Sequence, residues 1–216
     1  MILFGPSASP YSRKVLVFAA EKGLDFEHRP GAGPASPPDP EFLAASPFRK
    51  IPALKDGDFT LSDSSAIVAY IEKVKPDPVL IPHEAKAHAR AIWFDEYADT
   101  ILGAAVLKIF FNRVIGPMLG LPHDPALADA AQRNELPPAL NYLEGVIPAS
   151  GFLVEDRLTL ADISVGSVLV NLGHLQLGPD PASHPKVAAY ASKLLARPSF
   201  AGLIEAERAM FANRAA

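Results

Sequence analysis

Hydroxyl-bearing residues follow the first apolar run of the chain, Met1–Phe4, in the segment Ser7-Ala8-Ser9-Pro10-Tyr11-Ser12. Proline is favoured at the first position of a helix, so Pro10 marks Ser9 as the residue that precedes a helix. A helix N-terminus favours an anion because of its free N–H groups and its dipole. Two roles are open to the Ser9 hydroxyl: it accepts from the backbone as an N-cap, or it donates its proton to a thiolate or carboxylate.

A proline begins the predicted strand Ile51-Pro52-Ala53-Leu54. One interpretation is an ordinary edge proline, because proline has no N–H to donate to a strand ladder. The other is a cis Ile51–Pro52 bond, which exposes the backbone of Ile51 for pairing with an extended peptide ligand.

The segment Leu61-Ser62-Asp63-Ser64-Ser65-Ala66-Ile67 also runs from a strand into a helix start. An aspartate and a serine at this place suit an amino-acid zwitterion, with its carboxylate on the helix N-terminus and its ammonium group on Asp63. A helix N-cap alone explains the same residues.

The amino-acid composition excludes several kinds of catalytic and metal site. The chain of 216 residues is 49% hydrophobic and 20% charged, which is typical of a folded globular protein. It contains no cysteine, which excludes a disulfide, a zinc–thiolate site, an iron–sulfur cluster and a cysteine nucleophile. Any thiol chemistry must therefore use the sulfur of another molecule. No metal site is predicted, because the histidines lack the spacing of metal ligands: His28, His83, His88, His123, His174 and His184.

The charge balance and the apolar runs bear on partners. Lys and Arg number 20 against 24 Asp and Glu, without a basic block, so nucleic acid is not an expected partner. The apolar stretches Ile101–Leu107 and Ile163–Leu175 are shorter or more interrupted than the roughly 20 apolar residues of a bilayer span. The chain begins without a signal-peptide pattern. We therefore expect a cytoplasmic protein without a membrane partner.

The pattern of elements changes near residue 80. Before it, strand and helix signals alternate: Met1–Phe4, helix Tyr11–Lys22, strand Leu24–His28, helix Glu41–Ala45, hairpin Ile51–Lys55 and Phe59–Leu61, helix Ser64–Val74. Pro76–Pro82 is the predicted linker. After it the segments look helical: Glu84–Ile115, broken by Gly116-Pro117; Pro125–Val146, kinked or split by Pro137-Pro138; a capping box at Thr159–Asp162 that opens a helix through His174; His184–Ala196; Ser199–Ala212.

Taken in order, five segments resemble the glutathione transferase family, specifically a bacterial serine-type member. Ser9–Val15 resembles its active-site segment, Ser46–Leu54 its segment ending in a cis-proline, and Leu61–Ile67 its γ-glutamyl-binding segment. Phe152–Asp162 is similar to the folding motif of its helical domain, and His184–Val187 with Arg197-Pro198 to its tail. The resemblance covers essentially the whole chain.

The resemblance implies an α+β fold in two domains. A thioredoxin-like α/β domain, residues 1–76, would bind glutathione. A linker, residues 77–83, would precede an all-α domain, residues 84–216, that lines the electrophile pocket. Family dimers imply a homodimer, in which Phe48 is a candidate apolar anchor; an intramolecular core role for Phe48 is the alternative.

Carried over to this chain, the resemblance makes Ser9 the residue that hydrogen-bonds the glutathione sulfur. Ile51 would pair through its backbone with the cysteinyl unit, beside a cis Pro52. Asp63 and Ser64 would hold the γ-glutamyl end, and Lys50 would reach the glycyl carboxylate.

Three positions depart from the family pattern. Asp63 stands where Glu or Gln is more usual, and Arg49 and Glu155 replace glycines. For the electrophile pocket the candidates are Tyr11, Phe110 and Arg113, although an aromatic stripe such as Phe110-Phe111 is also typical of core packing.

The activity implied is transfer of glutathione, without a metal, to a small apolar electrophile in detoxification. Alternatives are a glutathione-dependent isomerase of the zeta (maleylacetoacetate) type, a glutathione-dependent peroxidase, and a non-catalytic glutathione-binding or interaction module. The isomerase would need cations for its carboxylate-bearing substrate, and Arg113 is the candidate.

Overall fold

The computed structural model describes residues 1–33, 37 and 39–212. The chain divides into two units, Met1–Pro82 and His83–Ala216. The first combines a β-sheet with helices and the second is helical.

Within the described residues of the first unit, four strands form one sheet in the order β2-β1-β3-β4. Their bounds are β1 Ile2–Phe4, β2 Glu27–Arg29, β3 Ala53–Asp56 and β4 Phe59–Ser62. Strand β1 runs parallel to β2 and antiparallel to β3, and β3 and β4 form the predicted hairpin. Gly57, with a φ of 58°, supplies the left-handed residue that its tight turn requires.

The helices of this unit are α1 Pro10–Glu21, α2 Pro40–Ala45 and α3 Ser64–Val74. Helices α1 and α3 pack against each other. The core of the sheet lies where β1 and β3 pair, since Leu3 lies opposite Leu54 and both side chains are fully buried. Phe4 packs instead against Phe42 of α2, at 5.9 Å between ring centroids, which follows from the alternation of side chains along a strand.

The predicted second strand begins too early. The sequence pattern places it at Leu24–His28, but β2 covers Glu27–Arg29. The intervening residues end α1 instead: Gly23, with a φ of 64°, and Leu24 donate their N–H groups to the carbonyls of Ala20 and Ala19. This left-handed ending satisfies free carbonyls of the helix and removes these residues from the strand.

A buried ion pair holds the end of the first unit. The ammonium group of Lys22, at the end of α1, lies 2.7 Å from the Glu72 carboxylate of α3, and both side chains are buried. Lys22 also donates to the carbonyls of Pro76 and Pro78, at 3.2 and 2.7 Å. Breaking one partner of such a pair costs about 3–5 kcal/mol, so the segment after α3 is firmly attached to the sheet domain.

The second unit contains α4 Ala85–Glu96, α5 Gly103–Phe110, α6 Gly116–Leu119, α7 Pro125–Asn134, α8 Leu136–Val146, α9 Leu160–His174, α10 Pro185–Leu195 and α11 Pro198–Ala212. The prediction that Pro137-Pro138 splits a helix is confirmed, since α7 ends at Asn134 and α8 begins at Leu136.

The predicted break at Gly116-Pro117 is wrong. The chain stays helical from Ala85 to Leu119, through π-helical turns at Tyr97–Leu102 and Phe111–Ile115. Proline lacks an N–H and its ring collides with the carbonyl of the preceding turn. A wider π turn directly before Pro117 relieves that collision, and the helix ends at Gly120, which has a φ of 63°.

By length and composition alone, the helical stretch Ala85–Leu119 is able to cross a membrane. Sequence analysis did not identify it, because polar residues interrupt its apolar runs. In the folded chain, 44% of its most apolar window is buried within the protein. Core helices of water-soluble proteins meet the same criteria.

Helix α9 is the core of the second unit, because nearly all of its residues are buried. It opens with the predicted capping box, which the structure confirms: Thr159 is the N-cap and Asp162 the third helical residue. The buried Asp162 carboxylate accepts from the backbone N–H groups of Leu153 and Thr159, at 2.9 and 3.0 Å. The hydroxyls of Thr159 and Tyr190 donate to it as well. One carboxylate thus joins the start of α9, the preceding loop and α10.

Candidate active site

The three candidate segments meet at one edge of the sheet. Phe4, the last residue of β1, lies opposite Ala53, the first residue of β3, which in turn lies opposite Ser62, the last residue of β4. The loop carrying Ser9 leaves β1 at this edge, Ile51-Pro52 enters β3 there, and Asp63 follows β4 there. The sheet register thus brings together residues that are far apart in sequence.

Ser9 occupies the N-cap position of α1, with an extended backbone, but its side chain does not cap the helix. The local turn is held by the backbone: Ser9 N–H donates to the Pro6 carbonyl at 3.1 Å, and its carbonyl accepts from Arg13 N–H at 2.9 Å. The half-buried hydroxyl is therefore available to donate to an anion at the helix N-terminus. Of the two roles that the sequence left open, backbone capping is not used.

Gly5 allows the Ser9 loop to approach Ile51 closely, and sequence analysis missed it. Its φ is 123°, and a Cβ at this position would lie 2.6 Å from the Ser12 hydroxyl oxygen and 3.0 Å from Ile51 Cβ. The Gly5 carbonyl is fixed at 2.8 Å from His28 Nε2. A glycine directly after a strand, before a helix start, is the signal that could have indicated this close approach.

The Ile51–Pro52 peptide bond is cis, as the family resemblance predicts. Ile51 is half-buried and precedes the first ladder pair of β3, so its backbone lies beyond the strand pairing. Its side chain packs on the cluster that contains Phe4, Phe42 and Ala53.

The residues before Ile51 are held by a side chain that sequence analysis did not single out. The fully buried Ser46 donates its hydroxyl to the Lys50 carbonyl at 2.7 Å, and the Lys50 side chain is exposed. Arg49, where the family has glycine, adopts the left-handed conformation that glycine favours, with a φ of 56°. Glu155 does the same in the second unit, with a φ of 55°.

Asp63 caps α3 with one of its two oxygens. Oδ1 accepts from Ser65 N–H and from Ala66 N–H, both at 3.0 Å. Asp63 is exposed and has a φ of 89°, which places its carboxylate at the helix start under backbone strain. Because the cap uses Oδ1, capping and binding of an ammonium group by Oδ2 are compatible. Ser64, the first residue of α3, is 3% exposed.

The three candidates for the electrophile pocket differ in their surroundings. Tyr11 is half-buried in the first turn of α1. Arg113 forms an ion pair with Asp129 at 2.7 Å. Phe110 is a core residue, because it is 2% exposed and packs edge-on against Phe211. Its neighbour Phe111, the other aromatic residue of the stripe, is 39% exposed.

Two other features lie away from these residues. A cavity of about 460 Å³ between α9, α10 and α11 is lined by His174, Glu205 and Arg208 with apolar neighbours, and it contains none of the predicted site residues. Within the described residues, no three His, Asp or Glu side chains gather as metal ligands.

The chain matches two family models, the glutathione S-transferase N-terminal domain over residues 8–74 and the glutathione S-transferase C-terminal domain over residues 122–207. A glutathione S-transferase of Hyoscyamus muticus is 32% identical over 209 residues, covering 95% of this chain and 98% of that protein. Glutathione S-transferase 3 of Zea mays is 32% identical over 92% of this chain and 90% of its own length.

Solved structures agree. Maize glutathione S-transferase I, in complex with an atrazine glutathione conjugate, superposes with a TM-score of 0.81 at 29% identity, covering 94% of this chain and 95% of that one. A glutathione S-transferase of Rhodospirillum rubrum gives 0.82 at 28% identity, covering 93% and 90%. The α/β unit with its cis-proline and the helical unit with its capping box have the architecture of these proteins. The chain belongs to the glutathione S-transferase family.

Proposed function

We propose that this protein is a serine-type glutathione transferase in which Ser9 activates the thiol of glutathione for attack on a small apolar electrophile. The observation that carries the proposal is the Ser9 hydroxyl, which stands at the N-terminus of α1 without capping it. The chain has no cysteine, so the reacting sulfur belongs to glutathione.

The chemistry follows from the properties of a thiol. A free thiol has a pKa of about 8.5, so only a minority is thiolate at neutral pH. A hydrogen bond to a charged group contributes about 1.5–3 kcal/mol, which corresponds to a fall in the thiol pKa of roughly 1–2 units. The N-terminus of α1 favours the same anion. The thiolate forms a bond to the electrophilic carbon, whose leaving group departs with the bonding electron pair.

The remaining segments at the sheet edge suit the rest of glutathione. The backbone of Ile51, beside Pro52, pairs with the cysteinyl unit. The γ-glutamyl ammonium group binds Asp63 Oδ2 and the γ-glutamyl carboxylate binds at Ser64, while Lys50 reaches the glycyl carboxylate. In this proposal residues 1–76 bind glutathione, 77–83 form a linker and 84–216 supply the electrophile pocket.

On the electrophile side we propose Tyr11, Phe111 and Arg113. We prefer Phe111, which is 39% exposed, to Phe110, whose ring packs against Phe211 in the core. The maize relative that was solved with an atrazine glutathione conjugate supports an apolar electrophile. The isomerase alternative is weaker, because the guanidinium group of Arg113 already pairs with Asp129.

We also propose a cytoplasmic homodimer that acts in detoxification. Phe48 is 85% exposed, so a role in the core of its own chain is wrong and a role as an intermolecular anchor is favoured. Phe48→Ser is expected to shift the protein to monomers in light scattering at micromolar concentration. Phe59→Ser, which removes another exposed phenylalanine, is the control. A wild-type protein that is already monomeric contradicts the proposal.

The test of the catalytic proposal compares Ser9→Gly with the wild type. Glycine keeps most of the N-cap preference but has no hydroxyl. We expect near-normal stability, retained glutathione binding, a bound thiol whose thiolate absorbance develops only at higher pH, and turnover lowered roughly 10- to 100-fold. Ser7→Ala, which removes a hydroxyl from the same loop, is the matched control.

The assay panel contains apolar electrophiles, isomerisable acids and hydroperoxides, each with and without glutathione. Full turnover by Ser9→Gly with an unshifted thiol titration excludes Ser9 as the sulfur partner. Activity confined to the acids or hydroperoxides excludes the transferase.

A further inference from the structure

A buried lysine lies directly behind the helix start that the proposed function assigns to the γ-glutamyl group. Lys14, in the second turn of α1, is 1% exposed. Its ammonium group donates to the Ser65 hydroxyl oxygen at 3.2 Å. Ser65 is the second residue of α3 and follows Ser64. Lysine side chains are rarely buried to this extent, because removing an ammonium group from water is costly.

Two opposite charges already act at the first turn of α3. Its N-terminal dipole favours an anion, whereas Asp63 places a carboxylate at its start, with Oδ1 bound to the N–H groups of Ser65 and Ala66. Lys14 adds a full positive charge on the α1 side of the same turn. Because this charge is buried, water and salt screen it less than they would screen a surface lysine.

Ser65 transmits the effect of Lys14. A hydroxyl oxygen that accepts from an ammonium group is polarised, so its own proton becomes a better donor. An anion at the first turn of α3 therefore meets the polarised Ser65 hydroxyl and the field of the buried Lys14 charge, while the ammonium group of the same ligand is attracted to the Asp63 carboxylate.

We infer that Lys14 is a positioning residue that acts through Ser65 to select ligands with an α-carboxylate on the γ-glutamyl group. The inference rests on the proposed function, because it assumes that glutathione binds at this edge of the sheet. In this arrangement Asp63 takes the ammonium group, and the Lys14–Ser65 pair orients the carboxylate beside Ser64.

The experiment uses two ligands that differ only in this carboxylate, glutathione and 4-aminobutyryl-cysteinyl-glycine, with dissociation constants measured by calorimetry. We expect the wild type to prefer glutathione by about 10-fold or more. Lys14→Met keeps the length of the side chain but removes its charge. It should weaken glutathione binding by about 10-fold and leave the affinity for the analogue unchanged. Lys14→Arg should restore most of the preference.

Two further variants separate this role from a structural one. Ser65→Ala removes the hydroxyl that accepts from Lys14 but keeps the charge of Lys14, and it should lower the preference for glutathione even if Lys14→Met folds poorly. Lys73→Met removes the same charge from the last turn of α3 and should change neither affinity.

The outcomes are distinguishable. If Lys14→Met or Ser65→Ala weakens the binding of both ligands equally, or leaves both affinities unchanged, the inference is overturned and the proposed function stands. If the wild type binds the two ligands equally well, the inference also fails. If the wild type binds neither, the proposed function fails together with it.

Discussion

Asp162 allows a prediction about stability whose sign is unusual for a carboxylate. Burial raises its pKa from the ordinary value of 3.8 to about 6, although the N–H groups of Leu153 and Thr159 and the hydroxyl of Tyr190 oppose the rise. Between about pH 4 and pH 6 the folded protein therefore keeps a proton that the unfolded chain has released. The unfolded state binds fewer protons in this window, so the contribution of Asp162 to stability falls as pH rises.

The magnitude follows from the size of the shift. About 2 pKa units correspond to about 3 kcal/mol of unfolding free energy, present in full below about pH 4 and lost by about pH 6–7. The perturbation is Asp162→Asn, which keeps the size of the side chain but does not titrate. At neutral pH the new asparagine side chain places its NH₂ group against groups that donate hydrogen bonds to the wild-type carboxylate. This should lower the unfolding free energy by about 1–3 kcal/mol. At pH 4 the cost should be larger by about 3 kcal/mol.

The assay is urea unfolding at several pH values between 4 and 7, followed by the fluorescence of Trp93. This is the single tryptophan; it lies in α4 and donates to the Tyr142 hydroxyl at 2.9 Å, so it reports on the second unit. Asp180→Asn is the control with the opposite sign, because hydrogen bonds from Ala182 N–H and Ser183 lower the pKa of Asp180. The effect of Asp180→Asn should therefore stay nearly constant between pH 4 and 7 and shrink only below about pH 4, where the wild-type carboxylate begins to be protonated. A wild-type advantage over Asp162→Asn that is constant or grows toward pH 7 refutes the reasoning.

Two other substitutions test the backbone. Gly5→Ala should destabilise the protein by about 2–4 kcal/mol in urea unfolding and weaken glutathione binding, because its Cβ would meet the Ser12 hydroxyl at 2.6 Å. Gly57→Ala, where no atom lies within 4 Å of the added Cβ, should cost only about 1 kcal/mol; an equal effect of the two contradicts the close-approach argument. Glu155→Gly should raise stability by about 1 kcal/mol, because relief of the left-handed strain exceeds the exposed ion pair with Arg157. A lower urea midpoint for Glu155→Gly would count against this estimate of the strain.

The elements around the site were predictable where capping residues and prolines agree with the hydrophobic periodicity. Helix α3 has the predicted bounds, Ser64–Val74, because Asp63 marks its start and Lys75-Pro76 its end. The sheet register was not predictable, since three-residue strands such as β1 carry almost no periodic signal. Yet the pairing of Phe4 with Ala53, and of Ala53 with Ser62, is what assembles the site. The family resemblance supplied this arrangement, which residue patterns alone did not.

The burial of Phe110 and the exposure of its neighbour Phe111 have a geometric cause. A regular helix advances about 100° per residue, so a 3.6-residue period shows which side chain faces the core. Each π-helical turn inserts an extra residue and rotates the following face by about the same angle. The stretch Ala85–Leu119 has one such turn before Phe110 and another that begins at Phe111. A single unperturbed period therefore cannot assign both faces. Because π turns often mark functional sites, the π turn that begins at Phe111 supports the proposal that Phe111 contacts the electrophile.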